Sequence, residues 1–261
     1  MAVAPSDALL GQCAALRGWL RELPFEAFGR PSALLGWDVR QLTAHVLLSL
    51  RGFLRSVDEA GATGAAAHVP PLSVADYVDR YRAAADEIDA LTVETAADHT
   101  PDELLLELDQ LIHALTERLA GPLPKVVEGP RGPIATADAF VTRMIELVTH
   151  ADDLSRSLPD VAAVELTRPA LAMTVRGLLG VLVARYPGRS VEVRVPPMAA
   201  VQCIAGPRHT RGTPPNVVET EPIVFVRLAT GRLRWDEALA AGAVRASGAR
   251  ADLSEQLPLL S

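Results

Sequence analysis

The sequence predicts an antiparallel helical bundle over residues 1–160 followed by a small α+β domain over residues 161–261, and three observations carry that reading. Long segments in the first part place apolar residues three and four positions apart, the spacing of one face of a helix. Short or Pro/Gly-rich links join those segments, as between neighbouring helices of a bundle. Beyond Pro159 the pattern changes to short alternating runs mixed with short helical ones, which describes an α+β arrangement. The 261 residues also suit two domains of roughly 100–200 residues each.

The first helix is expected over residues 7–28, with Leu9, Leu10, Cys13, Leu16, Leu20 and Leu23 on its apolar stripe. Pro24 and Pro31 frame a loop. A second helix opens at Asp38, with Gln41 completing a capping-box pair. It runs through Val39, Leu42, Val46, Leu50, Phe53 and Val57 and stops near Gly61, where the Ala/Gly-rich residues 61–71 read as a loop. Ser73 with Asp76 caps a helix reaching about Leu91. Pro101 suits the first turn of a helix to Leu119. Residues 121–133, with three glycines and four prolines, are a connection, and a last bundle helix spans residues 136–158. In the second part Thr167 caps a helix over residues 168–186. Strands follow at residues 190–195, 199–205 and 217–220, then a helix from Pro222 to Leu228. A helix at 235–241, a strand at 243–247 and a final helix after Gly248 complete the pattern.

Composition excludes several function classes. The net charge of −7 disfavours nucleic acid and anionic membrane surfaces as partners, since both require a positive field. No apolar run approaches the roughly 20 residues that cross a bilayer. The first ten residues have no basic region of the kind a signal peptide carries. Cys13 and Cys203 lie too far apart in sequence to suggest a disulfide framework or metal knuckle, and read as small buried hydrophobes. A cytoplasmic location follows as the expectation. Lys125 is the only lysine and Asn216 the only asparagine, while Ala, Arg, Gly and Pro abound, which suggests GC-rich coding.

One constellation offers chemistry. Glu146 and His150 are four residues apart on one predicted helix, about 40° apart around its axis, so both can face one ion. His45 would come from the neighbouring second helix. Two imidazoles and one carboxylate leave an open position, as a catalytic zinc site requires. Periodicity alone also describes Glu146, His150 and Asp153 as a solvated face, opposite a stripe of Phe140, Met144, Leu147, Val148, Ala151 and Leu154. His45 shares a row with Asp38, Gln41, Ser49 and Gly52, which suits either a ligand site or plain exposure.

Two segments separate these readings. Trp37-Asp38-Val39-Arg40-Gln41-Leu42-Thr43-Ala44-His45 resembles the W-x-V-R-D-L-x-x-H segment of the mycothiol-dependent maleylpyruvate isomerase family, a DinB-like group. Glu146 to Leu154 resembles that family's second signature, E-x-x-x-H-x-x-D-L. The resemblance implies His45, Glu146 and His150 as metal ligands. It further implies a divalent metal, zinc foremost though nickel and iron suit such donors, and mycothiol as thiol cosubstrate. Residues 223–232 and 242–248 are similar to the sterol-carrier-like domain found behind such bundles. Gln41 stands where the family usually has Asp, and Asp152 where an aromatic is common; both departures leave the triad residues in place.

The expected function is therefore a metal- and mycothiol-dependent isomerase or S-transferase acting on a small electrophile, its metal site facing the second domain. A non-catalytic carrier of an apolar ligand, and a regulatory protein with a structural metal, are the alternatives. Asp38 and Asp153 are candidates for orienting the ligating imidazoles, against readings as a helix cap and an exposed carboxylate. Arg232, ahead of Arg227 and Arg234, is the candidate to face an acidic substrate across an interdomain cleft. His68, His99, His113 and His209 receive no role. Residues 129–132 lack the lysine and strand-to-helix context of a phosphate loop.

Overall fold

A computed structural model gives the fold and describes residues 3–63, 70–206 and 215–260. The chain divides into two compact units, Met1–Ala170 and Leu171–Ser261. The first contains helices α1 (Pro5–Arg21), α2 (Val39–Thr63), α3 (Val74–Asp79), α4 (Ala85–Ala97), α5 (Pro101–Ala120) and α6 (Thr136–Ser157). Helix α7 (Arg168–Arg185) opens at its end and carries the chain into the second unit. None of the described helices is long and apolar enough to cross a membrane.

Helix starts follow from local chemistry. At α2 the Asp38 carboxylate accepts from the Gln41 amide at 2.7 Å, and the Gln41 side chain accepts from the Asp38 amide at 2.8 Å. Thr100 and Glu103 make the same reciprocal box at α5, with Pro101 in its first turn. Replacing Thr100 with alanine is expected to cost about 1 kcal/mol. A lower urea midpoint at unchanged slope would register that loss, and an unchanged midpoint would show the box idle.

Helices α1, α2, α5 and α6 pack together as the bundle, with α4 laid against α2. Leu104, Leu108, Leu111 and Leu115 give α5 a single buried stripe. Helix α6 differs, because it is buried on nearly every face. Met144, Ile145, Leu147 and Val148 are inside, but so are Arg143, Thr149, His150, Asp152 and Asp153. A helix buried all round is an interior element, so the solvated-face reading of this helix fails. Its polar row points into protein.

The sequence pattern misplaces several elements. The expected helix over 7–28 ends at Arg21, because Pro24 takes an extended conformation and starts a separate 3-10 turn, Phe25–Gly29. The expected helix over 73–91 is broken into α3, a 3-10 turn (Arg82–Ala84) and α4. Arg80, Arg82, Asp86 and Glu87 give that stretch no apolar stripe to bury, and Arg80 donates instead to the Arg131 carbonyl at 2.7 Å. Residues 121–133 are more than a connection. They hold most of a hairpin, β1 (Val126–Gly129) and β2 (Gly132–Ala135), antiparallel about the two-residue loop Pro130-Arg131. Gly132 takes φ 118° to close it, and at Gly129 a side chain would strike the Tyr77 hydroxyl. Residues 61–63 continue α2 rather than beginning a loop; the rest of the expected loop, 64–69, lies outside the described residues.

Thr167 does not cap α7 with its hydroxyl, which is buried without a hydrogen-bond partner. Its amide donates to the fully buried Gln12 side chain at 2.8 Å, and Gln12 donates in turn to the Glu165 carbonyl at 3.0 Å.

In the second unit, β3 (Val191–Val195), β4 (Ala199–Cys203), β5 (Val217–Thr220) and β6 (Val244–Ser247) form one sheet in the order β4-β3-β5-β6. The β3–β5 pair is parallel and the other two pairs are antiparallel. Val191, Val193 and Val195 are buried and Glu192 and Arg194 half-buried, the predicted alternation. Strand β4 stops two residues early because Ile204 turns to φ 64°. Helices α8 (Pro222–Ala229) and α9 (Trp235–Ala240) follow β5. No helix forms after Gly248 among the described residues. Ala251, Leu253 and Leu259 are buried singly, and the amides of Leu259 and Leu260 both donate to the Ala229 carbonyl.

Candidate metal centre

Packing of α2 against α6 brings His45 and His150 into contact, their rings edge to face with centroids 4.7 Å apart. The Trp37 indole lies 5.1 Å from the His45 ring, tilted 45° to it, and donates to Asp89 at 2.6 Å. His45 Nδ1 faces the Thr92 hydroxyl at 3.4 Å. His150 Nδ1 faces Asp153 Oδ2 at 3.1 Å, while Asp153 Oδ1 accepts from Arg156 at 2.5 Å. Each imidazole thus has Nδ1 engaged, with Nε2 as its second nitrogen. One turn before His150, Glu146 Oε2 accepts from the Ser49 hydroxyl and from Arg143 Nη1, both at 2.7 Å. Arg143 also donates to the Ser49 hydroxyl and, at 3.0 Å, to the Ser49 carbonyl.

The charges follow from this environment. Burial first, then the neighbouring His150, push His45 down to about 3, so its ring is neutral at pH 7. Burial alone would raise the Glu146 carboxyl. Arg143 foremost, then His45 and the Ser49 hydroxyl, outweigh it and hold Glu146 at about 2. The Tyr81 hydroxyl is buried without a hydrogen-bond partner of sound geometry; burial and then Glu146 drive its pKa well above normal.

The donor types fit a divalent cation: two imidazoles with free second nitrogens and one ionised carboxylate. Their arrangement is not a closed cage. Among the described residues no group of three or more His, Cys, Asp or Glu side chains is set to hold a metal ion. Glu146 is the member turned aside, on to Arg143 and Ser49.

Other sequence candidates fall elsewhere. Asp38 is the α2 cap, its carboxylate taken by the Gln41 amide. Asp153 is fully buried, not an exposed carboxylate, and touches His150. Arg232 lies in the second unit and donates to the Thr230 carbonyl at 2.7 Å, and Arg234 pairs with Asp236 at 2.8 Å. His99 meets the Thr95 carbonyl and Glu107, and His113 meets Glu117. His68 and His209 lie outside the described residues. Cys13 and Cys203 are buried, and burial pushes their thiols to about 12 and about 11. The sequence reading missed Arg143, Thr92, Tyr81 and Arg131. Only Arg143 left a local signal, standing three residues before Glu146 on the same helix.

A helical unit in which half-buried His45 meets buried His150, followed by an α+β unit, is the architecture to compare with known proteins. Residues 9–155 match the model of the mycothiol maleylpyruvate isomerase N-terminal domain, and residues 167–259 match that of the bacterial SCP ortholog. The chain belongs to the mycothiol maleylpyruvate isomerase family. The crystal structure of the mycothiol-dependent maleylpyruvate isomerase superimposes with a TM-score of 0.59 at 18% identity, over 93% of this chain and 91% of that one. A mutant of the same enzyme gives 0.60 at 16% identity over the same shares. At such identities the likeness establishes the fold. No curated protein sequence matches the chain.

Proposed function

We propose that the chain is a metal-dependent, mycothiol-dependent isomerase or thiol S-transferase acting on a small electrophilic substrate, with His45, Glu146 and His150 as the ligands of a divalent metal, zinc foremost. The contact of His45 with His150, each ring engaged at Nδ1 only, is the observation that carries it. Family membership supports mycothiol as the thiol. A metal bound by this donor set lowers the pKa of a coordinated thiol and makes thiolate available at neutral pH.

The chain's own residues prepare that chemistry. Asp153 accepts the Nδ1 proton of His150, which fixes the tautomer with its lone pair on Nε2. Burial keeps His45 unprotonated, and Trp37 packs against its ring. Ser49 and Arg143 both engage Oε2 of Glu146 and hold the carboxylate ionised, the form in which it would serve as a ligand. The thiolate would add to a carbon–carbon double bond of the electrophile, its π pair moving on to the activating group; return of that pair would expel the thiolate in isomerisation, and protonation of the adduct by solvent would retain the new C–S bond in transfer.

Elemental analysis of the purified protein tests the assignment. Near-stoichiometric divalent metal is expected in the wild type and should be lost in both His45→Ala and His150→Ala. Metal retained by both folded variants contradicts the ligand set. Repeating the measurement by X-ray absorption with thiol present should add a sulfur neighbour, and its absence removes the thiol from the mechanism.

A further inference from the structure

The sheet of the second unit ends on β4 at one edge and on β6 at the other, and the two edges differ. Strand β6 has α9 packed against it and carries the exposed Arg245, a charge of the kind that discourages strand pairing. Strand β4, Ala-Ala-Val-Gln-Cys, holds neither a charge nor a proline. Which of its backbone groups are open follows from the ladder. The Glu192 amide donates to the Asn216 carbonyl, so even positions of β3 face β5, and Val191, Val193 and Val195 face β4. Their partners Cys203, Val201 and Ala199 therefore turn their N–H and C=O groups inward. Ala200 and Gln202 turn theirs outward, and both residues are exposed.

The side chains of this edge are unfinished as well. The Gln202 amide makes no hydrogen bond among the described residues. A depression of about 300 Å³ lies over Ala200, with Arg194, Pro196, Pro197, Met198 and Glu219 among its walls. Arg194 donates from Nε to Glu192 at 2.5 Å, and among the described residues its two Nη groups donate to nothing.

We propose that β4 is a self-association edge, along which two copies of the chain pair their β4 strands antiparallel about a two-fold axis. Ala200 of each copy lies opposite Gln202 of the other, and Val201 opposite Val201. In this register every outward N–H and C=O of one copy meets its complement on the other, and an isologous joint of this kind closes at two copies. Charge selects this register over its neighbours. Within the sheet Arg194 stands opposite Ala200 and Glu192 opposite Gln202. Each row across the joint therefore runs Arg194, Ala200, the partner's Gln202, the partner's Glu192, with opposite signs at its ends. Ala200 against Ala200 would turn Arg194 towards its own copy, and Gln202 against Gln202 would do the same with Glu192. Over the small Ala200 side chain the partner's Gln202 enters the depression, where its carbonyl oxygen accepts from Arg194. Val201, half-buried, is covered by its copy. Nothing in this depends on the chemistry proposed for the helical unit.

Five-residue strands bury far less than the roughly 800 Å² per partner of a stable interface, so a weak dimer with a dissociation constant of about 0.1–1 mM is expected. Sedimentation equilibrium of the full-length protein across that range should show the mass rising from monomer towards dimer. Ala200→Pro removes an outward N–H and no bond to β3. It should weaken the dimer about tenfold or more, since the two-fold joint loses two hydrogen bonds. Gln202→Lys sets a lysine against the partner's Arg194 and should weaken it too, which keeps the test open should Ala200→Pro fail to fold. Val201→Cys faces its own copy at a non-hydrogen-bonded position, with Cα atoms about 4.5 Å apart, and should give a disulfide-linked dimer on mild oxidation. Ala200→Cys should not. A wild type that stays monomeric overturns the proposal, whatever other extended segment the edge accepts. So does wild-type dimerisation retained by the folded Ala200→Pro and Gln202→Lys proteins. A link through Ala200→Cys in place of Val201→Cys overturns the register.

Discussion

Replacing Glu146 with alanine is expected to destabilise the metal-free protein by about 3–5 kcal/mol, the usual cost of removing one partner from a buried ion pair. Arg143 and Glu146 meet at 2.7 Å with side chains only 10% and 13% exposed. Without the carboxylate the guanidinium stays buried, with only the Ser49 oxygens as partners. Glu146→Gln keeps an acceptor and loses the charge, so about half that cost is expected. Changing both Arg143 and Glu146 to leucine should restore most of the stability, because a buried pair is about as stable as the apolar residues that replace it. Urea unfolding followed by helical circular dichroism measures all three. Single variants within about 1 kcal/mol of wild type would show that Arg143 finds water instead.

The same pair sets an acid limit. Glu146 titrates at about 2 in the folded chain against an ordinary 4.5, so the unfolded chain takes up the proton first as pH falls. Its contribution is complete above pH 4.5 and is lost between there and about 2. At about 1.36 kcal/mol per unit the loss amounts to about 3 kcal/mol. His45, depressed from 6.5 to about 3, begins an earlier loss as pH drops below 6.5. Glu146→Gln should remove the Glu146 loss and deepen the His45 one, because the carboxylate opposes the depression of His45.

How far the site could be read from sequence follows from where its information lies. The bundle helices declared themselves through leucine stripes and caps, as at Thr100 and Asp38, since these are local in sequence. His45, Glu146 and His150 are visible because helical spacing and two short segments mark them. Their burial is not visible. The polar row of α6 looks like a wet face until α2 and α3 are packed on this helix, which no local pattern records. Tyr81 and Arg131 were illegible for a related reason. One sits where a helix breaks, the other in a hairpin with strands of four residues, too short to display alternation. The final helix was over-read from a segment whose stability comes from single anchoring side chains such as Leu253 and Leu259.

Asp153→Asn is expected to weaken zinc binding about 10–100-fold while the protein stays folded, and Asp153→Ala to add a stability loss of about 3 kcal/mol. Asp153 is wholly buried and joins two groups: His150 Nδ1 at 3.1 Å on one oxygen and Arg156 at 2.5 Å on the other. As a carboxylate it can only accept, so the His150 proton sits on Nδ1 and the lone pair on Nε2. An amide has one oxygen and one NH2 group. Arg156 can only donate, so it keeps the oxygen and the NH2 group turns to His150. The imidazole must then accept at Nδ1, and in its neutral form carries its proton on Nε2, the nitrogen assigned to the metal. Competition against a chelator measures the affinity, and urea unfolding separates it from stability. Arg156→Met is the control, since it removes a second partner of Asp153 without touching the imidazole. It should lower stability and move zinc affinity by less than about threefold. If Asp153→Asn binds zinc as the wild type does, the tautomer of His150 is not what prepares it to be a ligand.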